Sequence, residues 1–138
     1  MLWLASATLA ISFIATDSGG HIGTATLNLT TNPALSITTL SPLSQGVQGA
    51  AYSTTLAATG GLGTLTWSLA SGALPAGVTL NPSTGALSGT PSVNGTFNFT
   101  VGVSDPGGAN PTKSFALTIN PPVSITTSSL ATGANGEP

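Results

Sequence analysis

Residues 97–121 read FNFTVGVSDPGGANPTKSFALTINP, and residues 9–33 read LAISFIATDSGGHIGTATLNLTTNP. Laid over each other without a gap, the two place Asp17 on Asp105, Gly19 and Gly20 on Gly107 and Gly108, and Asn32-Pro33 on Asn120-Pro121. The separation is a constant 88 residues (105 − 17, 120 − 32). Leu9, Ile11, Phe13 and Ala15 fall on Phe97, Phe99, Val101 and Val103, and Leu27 and Leu29 fall on Phe115 and Leu117. Apolar side chains at every second position are the mark of a strand with one buried face. The same pair of strands, joined by the same Asp-x-Gly-Gly turn, is therefore written twice.

The correspondence runs on into NPALSITT at 32–39 and NPPVSITT at 120–127. After a one-residue slip, Gly46 and Gly49 match Gly133 and Gly136. A long self-match at one period is the signature of tandem modules. Residues 1–33 are thus expected to be the last two strands of an upstream repeat, residues 34–121 a complete repeat, and residues 122–138 the first strand of a following one. The uncharged run Met1–Ala15 could pass for the apolar part of a signal peptide. It lacks a basic start and is too short to cross a bilayer, and the repeat assigns it to a strand.

Within residues 34–121 helical spacing is nowhere sustained, so the class is all-β. Strands are expected around 35–39, 51–58, 64–69, 77–80, 86–89, 96–104 and 113–119, separated by Gly and Pro clusters, which predicts an Ig-like Greek-key β-sandwich. Alternation points Ile37, Tyr52, Leu56, Leu65, Trp67, Leu69, Val78, Leu80, Leu87, Phe97, Phe99, Val101, Val103, Phe115, Leu117 and Ile119 inward. In Asn81-Pro82-Ser83-Thr84-Gly85, Pro suits the second position of a type I turn and Gly a following left-handed residue, predicting a tight hairpin between Leu80 and Leu87. Asp105 is expected to accept hydrogen bonds from nearby turn amides.

The 138 residues carry one Lys or Arg and three Asp or Glu, with no Cys. One cation, Lys113, cannot neutralise a run of phosphates, which excludes nucleic acid as a partner. The lack of Cys removes disulfides and thiolate metal sites. A net charge of −2 gives little repulsion between copies, so the chain is expected to live assembled or coated with glycan.

The complete segment resembles the tandem Putative Ig domain of large bacterial surface and secreted proteins, related to dystroglycan-type cadherin-like modules. The residues that carry the resemblance are Gly49, Tyr52, Ala57 to Gly61, TWSL at 66–69, GALPAGVTL at 72–80, STGALSGTP at 83–91 and the run from Gly95 to Asp105. The resemblance implies a spacer or stalk module at the cell surface or outside the cell. It says little about a ligand, because one such fold serves many roles.

No catalytic, cofactor-binding or metal-ligating residue is expected. His21, the single imidazole, falls in a solvated turn, and a Ser-His-Asp constellation would need a nucleophile, an elbow and an oxyanion hole besides Asp17. Cadherin-like relatives hold calcium between domains through clustered carboxylates, but each turn here offers only Asp17 or Asp105, against six to eight oxygens around the ion. Lys113 lacks the buried acid that an isopeptide bond requires, the only Glu being Glu137. Asn28, Asn94 and Asn98 stand in Asn-x-Ser/Thr sequons and are the candidate glycosylation sites. The expected partners are neighbouring copies of the chain and glycans, with no membrane insertion. The favoured role is a non-enzymatic stalk or filament shaft that polymerises head to tail by strand donation. The alternative is a carbohydrate-binding or adhesive module, which needs Trp67, Tyr52 or Trp3 on an exposed face.

Overall fold

A computed structural model describes residues 7–128. The described chain is all-β: β1 (Ala7–Thr16), β2 (Ile22–Thr31), β3 (Ser36–Ile37), β4 (Gly46–Val47), β5 (Tyr52–Thr55), β6 (Ala58–Thr59), β7 (Thr66–Gly72), β8 (Val78–Leu80), β9 (Ala86–Gly89), β10 (Gly95–Ser104) and β11 (Thr112–Asn120). From β3 onward the strands form an Ig-like sandwich. One sheet has the order β4-β11-β10-β7, and across the core lie β5-β9-β8 and the short pair β3-β6.

The core is where the alternation puts it. Leu87, Val101, Val103, Phe115, Leu117 and Ile119 are almost wholly buried, with Ile37, Tyr52, Leu56, Trp67, Val78 and Phe99 packed against them. Phe99 and Phe115 face each other across β10 and β11 with ring centroids 6.2 Å apart. Each large side chain buried there is worth roughly 1.5–3 kcal/mol. Leu65, Leu80 and Phe97 are only partly buried at the margins of the core.

Leu69, expected inward, is exposed. It pairs with Val101 where the β10–β7 ladder slips, so that Ser71 rather than Ala70 faces Thr100. The extra residue, Ala70, comes after Leu69, which keeps the phase of Trp67 opposite Val103 and is left uncovered beside the bend in β7. Leu35 and Leu43, not expected in the core, are buried. The expected strand at 35–39 is cut to two residues because the amides of Thr38 and Thr39 both turn to the carbonyl of Ala57. The chain then crosses to β11, where the Leu43 amide donates to Ala116 O and β4 pairs in parallel with Ile119 and Asn120.

The turn at 81–85 forms as its residues dictate. Asn81 Oδ1 accepts from the amides of Ser83 and Thr84 at 2.9 and 3.1 Å, and Gly85 takes φ +71°. A side chain at Gly85 would also strike the Trp67 indole at 2.8 Å, so the same glycine makes the turn and seats the ring.

β1 and β2 form a separate two-stranded ladder, from Ala7↔Thr31 to Thr16↔Ile22. Shifted by 88, this register is that of β10 and β11: Thr8↔Thr30 corresponds to Thr96↔Thr118, and Ile11↔Leu27 to Phe99↔Phe115. The outward hydroxyls repeat too, with Thr8–Thr30 and Ser12–Thr26 at 3.4 Å against Thr96–Thr118 at 3.2 Å and Thr100–Ser114 at 3.1 Å. Every residue of β1 and β2 is exposed. Residues 121–128 are exposed as well and belong to no strand.

Candidate functional site

The polar side chains with chemistry to offer gather at the two hairpin turns, which are built alike. In each, the Asp amide donates to the carbonyl four residues on (His21 at 3.0 Å, Ala109 at 3.1 Å), and Gly20 or Gly108 donates back to the Asp carbonyl at 3.1 Å. Gly20 and Gly108 have φ of +83° and +89°, a conformation that side chains other than Gly rarely adopt.

At the first turn, Asp17 Oδ1 accepts from the amides of Gly19 and His21, both at 2.8 Å. Asp17 Oδ2 lies 3.0 Å from His21 Nδ1, both side chains being well exposed. The hydrogen bond from the His21 amide, ahead of those from Gly19 and the ring and against some desolvation, holds the Asp17 carboxyl below its ordinary value. Asp17 and His21 thus meet in space, as an i,i+4 pair that closes a solvated turn.

At the second turn Asp105 does more. Its Oδ1 accepts from the Ala109 amide at 2.9 Å, and its Oδ2 reaches out of the turn to the Leu62 amide at 2.8 Å. One carboxylate therefore ties the β10–β11 turn to the β6–β7 loop. Among the described residues, no three His, Cys, Asp or Glu side chains come together as a metal site would require.

Neither Trp67 nor Tyr52 presents its ring on an exposed face. Trp67 and Tyr52 are 5% and 6% exposed, and the Tyr52 hydroxyl donates to Ser44 O at 3.0 Å. Trp3 and Glu137 lie outside the described residues. Lys113 Nζ donates to the carbonyl of Ile37 at 3.4 Å. Asn28, Asn94 and Asn98 are all exposed. Asn98 borders a shallow, open depression of about 280 Å³, whose lining of Ser41, Ser71, Thr100, Ser114, Ala116 and the edges of Phe99 and Phe115 carries no charge.

A further surface feature is apolar. On one face of the first hairpin stand Leu9, Ile11, Phe13, Leu27 and Leu29, between 38% and 60% exposed. Their counterparts Phe99, Val101, Phe115 and Leu117 form the sandwich core. Val123 and Ile125, in the positions of the buried Leu35 and Ile37, are 100% and 91% exposed.

Residues 34–120 match the family model of the Putative Ig domain, and the chain belongs to that family. No curated protein matches it in sequence. Among solved structures it is similar to a putative alpha-galactosidase from Bacteroides fragilis (TM-score 0.55, 20% identity, 62% of this chain and 17% of that one). It is also similar to the human desmocollin-1 ectodomain (TM-score 0.52, 16% identity, 82% and 26%). A third likeness is to the protocadherin gamma B7 extracellular cadherin domains 1–4 (TM-score 0.55, 15% identity, 86% and 33%). The chain thus spans at most a third of the length of these structures. At such identities the likeness is one of fold: an Ig-like, cadherin-like sandwich.

Proposed function

We propose that the chain is a non-enzymatic structural module of an extracellular repeat protein, part of a stalk or filament shaft in which neighbouring copies are joined through strands. Residues 1–33 are read as the end of an upstream module and residues 122–138 as the beginning of a following one. The observation that carries this reading is the duplicated hairpin, alike in register and turn to β10–β11 and bare on the face that β10–β11 buries.

The route of the chain through the sandwich supports it. Pro33 enters beside Gly61, whose amide donates to Pro33 O, at the end held by Asp105. Asn120 leaves at the other end, where its carbonyl accepts from Gln48. The nine residues of β11 separate the two ends by about 30 Å. Modules that enter at one end and leave at the other stack into a rod, and two-residue Asn-Pro joints limit the bend between them. The near-absence of charge fits a surface that neighbours or glycans cover, with Asn28, Asn94 and Asn98 as the attachment points. The cadherin ectodomains of similar fold support an extracellular setting and contacts between like domains.

The test is a polypeptide in which residues 34–121 are repeated one, two, three and four times, studied by small-angle X-ray scattering. The maximum dimension is expected to grow by about 30–40 Å per added copy, a strand length plus its joint. A particle that grows as a compact globule would overturn the stalk reading.

A further inference from the structure

The sandwich is an internal template for its own duplicate. β1–β2 repeats β10–β11 in length, register and turn, so the segments that lie against β10–β11 define what an equivalent surface accepts. One is the facing sheet β5-β9-β8, a second is β7 along the edge of β10, and the last is the stretch from Leu35 to Val47. Leu35 packs at Gly61, where the Asp105 carboxylate also reaches. Ile37 O accepts from Lys113, the Leu43 amide donates to Ala116 O, and Gly46 and Val47 pair with Ile119 and Asn120. From Leu43 on, this stretch runs along the edge of β11; before it, Ser36 and Ile37 pair with β6 and meet β11 from across the core.

Among the described residues the chain carries a second version of the last segment alone. PPVSITTS at 121–128 repeats PALSITTL at 33–40, with Val123 for Leu35 and Ile125 for Ile37. In the sandwich these two positions are 7% and 9% exposed; in the repeat they are bare. Donor and acceptor are thus both present and both unused within one chain, since every residue of β1, β2 and 121–128 is exposed. They are tethered at opposite ends of the sandwich, the hairpin at Pro33 and the repeat at Asn120.

From this we infer that residues 121–128 of one copy dock on the β1–β2 hairpin of a second copy, Val123 at the Asp17 turn and Ile125 beside Ala25, the position equivalent to Lys113. Phe13, the cross-strand partner of Ala25, supplies the apolar floor. With Ala25 in place of Lys113, no charge stands in the way. The contact uses different surfaces on its two sides, so it joins copies head to tail, as a ring where the rotation per copy closes and as an open chain where it does not. The inference rests on the strand-linked reading above and adds which segment is given, which hairpin face receives it and in which direction.

The experiment uses the full chain in a sedimentation-velocity concentration series. The average mass is expected to rise with concentration, and Val123→Asp with Ile125→Asp to weaken association at least about tenfold, since two buried apolar side chains are lost. Both positions are exposed, so the thermal midpoint of the sandwich stays put and separates lost docking from lost folding. Leu40→Asp, on an exposed sandwich site, should leave association unchanged. In a chain without native Cys, Ala25→Cys with Ile125→Cys should give a ladder of disulfide-linked multimers on oxidation. A chain that stays monomeric, association indifferent to the Val123 and Ile125 changes, or a disulfide that closes within a monomer would each overturn the inference. None of these would touch the stalk reading, which stands or falls on the scattering of the covalent tandem.

Discussion

Two hairpins of this chain, β1–β2 and β10–β11, share a cross-strand register, a turn with the same pair of backbone hydrogen bonds and the same outward hydroxyl pairs, yet one is bare and the other forms half of a core. The difference teaches where each property comes from. Register and turn follow from residues close in sequence: Asp17 and Asp105 gather amides within four residues, and Gly20 and Gly108 take the left-handed conformation. Burial follows from what lies opposite, and β5-β9-β8 lies opposite only the second hairpin. Equivalent substitutions in the two hairpins should therefore have unequal consequences.

The largest contrast is expected at Phe115 and its counterpart Leu27. Phe115→Ala opens a cavity beside Phe99 and should lower the unfolding free energy of the sandwich by about 3–5 kcal/mol. Leu27→Ala, on a 60% exposed side chain, should stay within about 0.5 kcal/mol. Urea denaturation followed by Trp67 fluorescence reads both. Similar losses at the two positions would mean that the first hairpin is packed after all, and the comparison would break.

A smaller contrast is expected between the turn carboxylates. Asp105→Ala frees the amides of Ala109 and Leu62 and cuts the tie between two loops, which should cost about 1–3 kcal/mol. Asp17→Ala loses bonds confined to its own turn and should leave the denaturation midpoint of the sandwich unmoved. Equal effects would show that Asp105 does no more than close its hairpin.

The smallest effect is one of pH. The Asp17 carboxyl is held below its ordinary value of 3.8, chiefly by the His21 amide. A depressed native value means that the contribution to the turn is complete above about pH 3.8 and is lost as pH falls through the lowered value. The amide resonances of Gly19 and His21 should shift together in that acid range, with the sandwich resonances still native-like. A midpoint above 3.8 would contradict the hydrogen bonding described for Oδ1.

Reading the chain by alternation works where strands are long and regular, and most of the inward residues of β10 and β11 are buried as their phase requires. It fails at Leu69, which keeps the inward phase of Trp67 but stays exposed beside the slip at Thr100, because what covers a position is set by segments distant in sequence. Leu43 was out of reach for a related reason: it lies on a path that leaves one sheet for the other, and a two-residue strand such as β4 has no period to detect. Leu35 was legible, since it stands two residues before the inward Ile37. Pro75 and Pro91, fully buried, look like turn punctuation in a sequence and act as core in the fold. Of the candidate sites, the exposure of Asn28 and Asn98 follows from alternation. The reach of Asp105 to Leu62 does not, since no local pattern names a loop that arrives from elsewhere.

By itself the sequence determined the strand class, the two equivalent hairpins with their turns and the 88-residue period, because these rest on alternation and on the conformational preferences of Asp, Pro and Gly, which act over a few residues. Only the tertiary structure decided which hairpin has a covered face, where the chain enters and leaves the sandwich, and which apolar side chains are left for a partner. Those depend on contacts between segments far apart in sequence, and such contacts leave no mark in the spacing of residues along the chain.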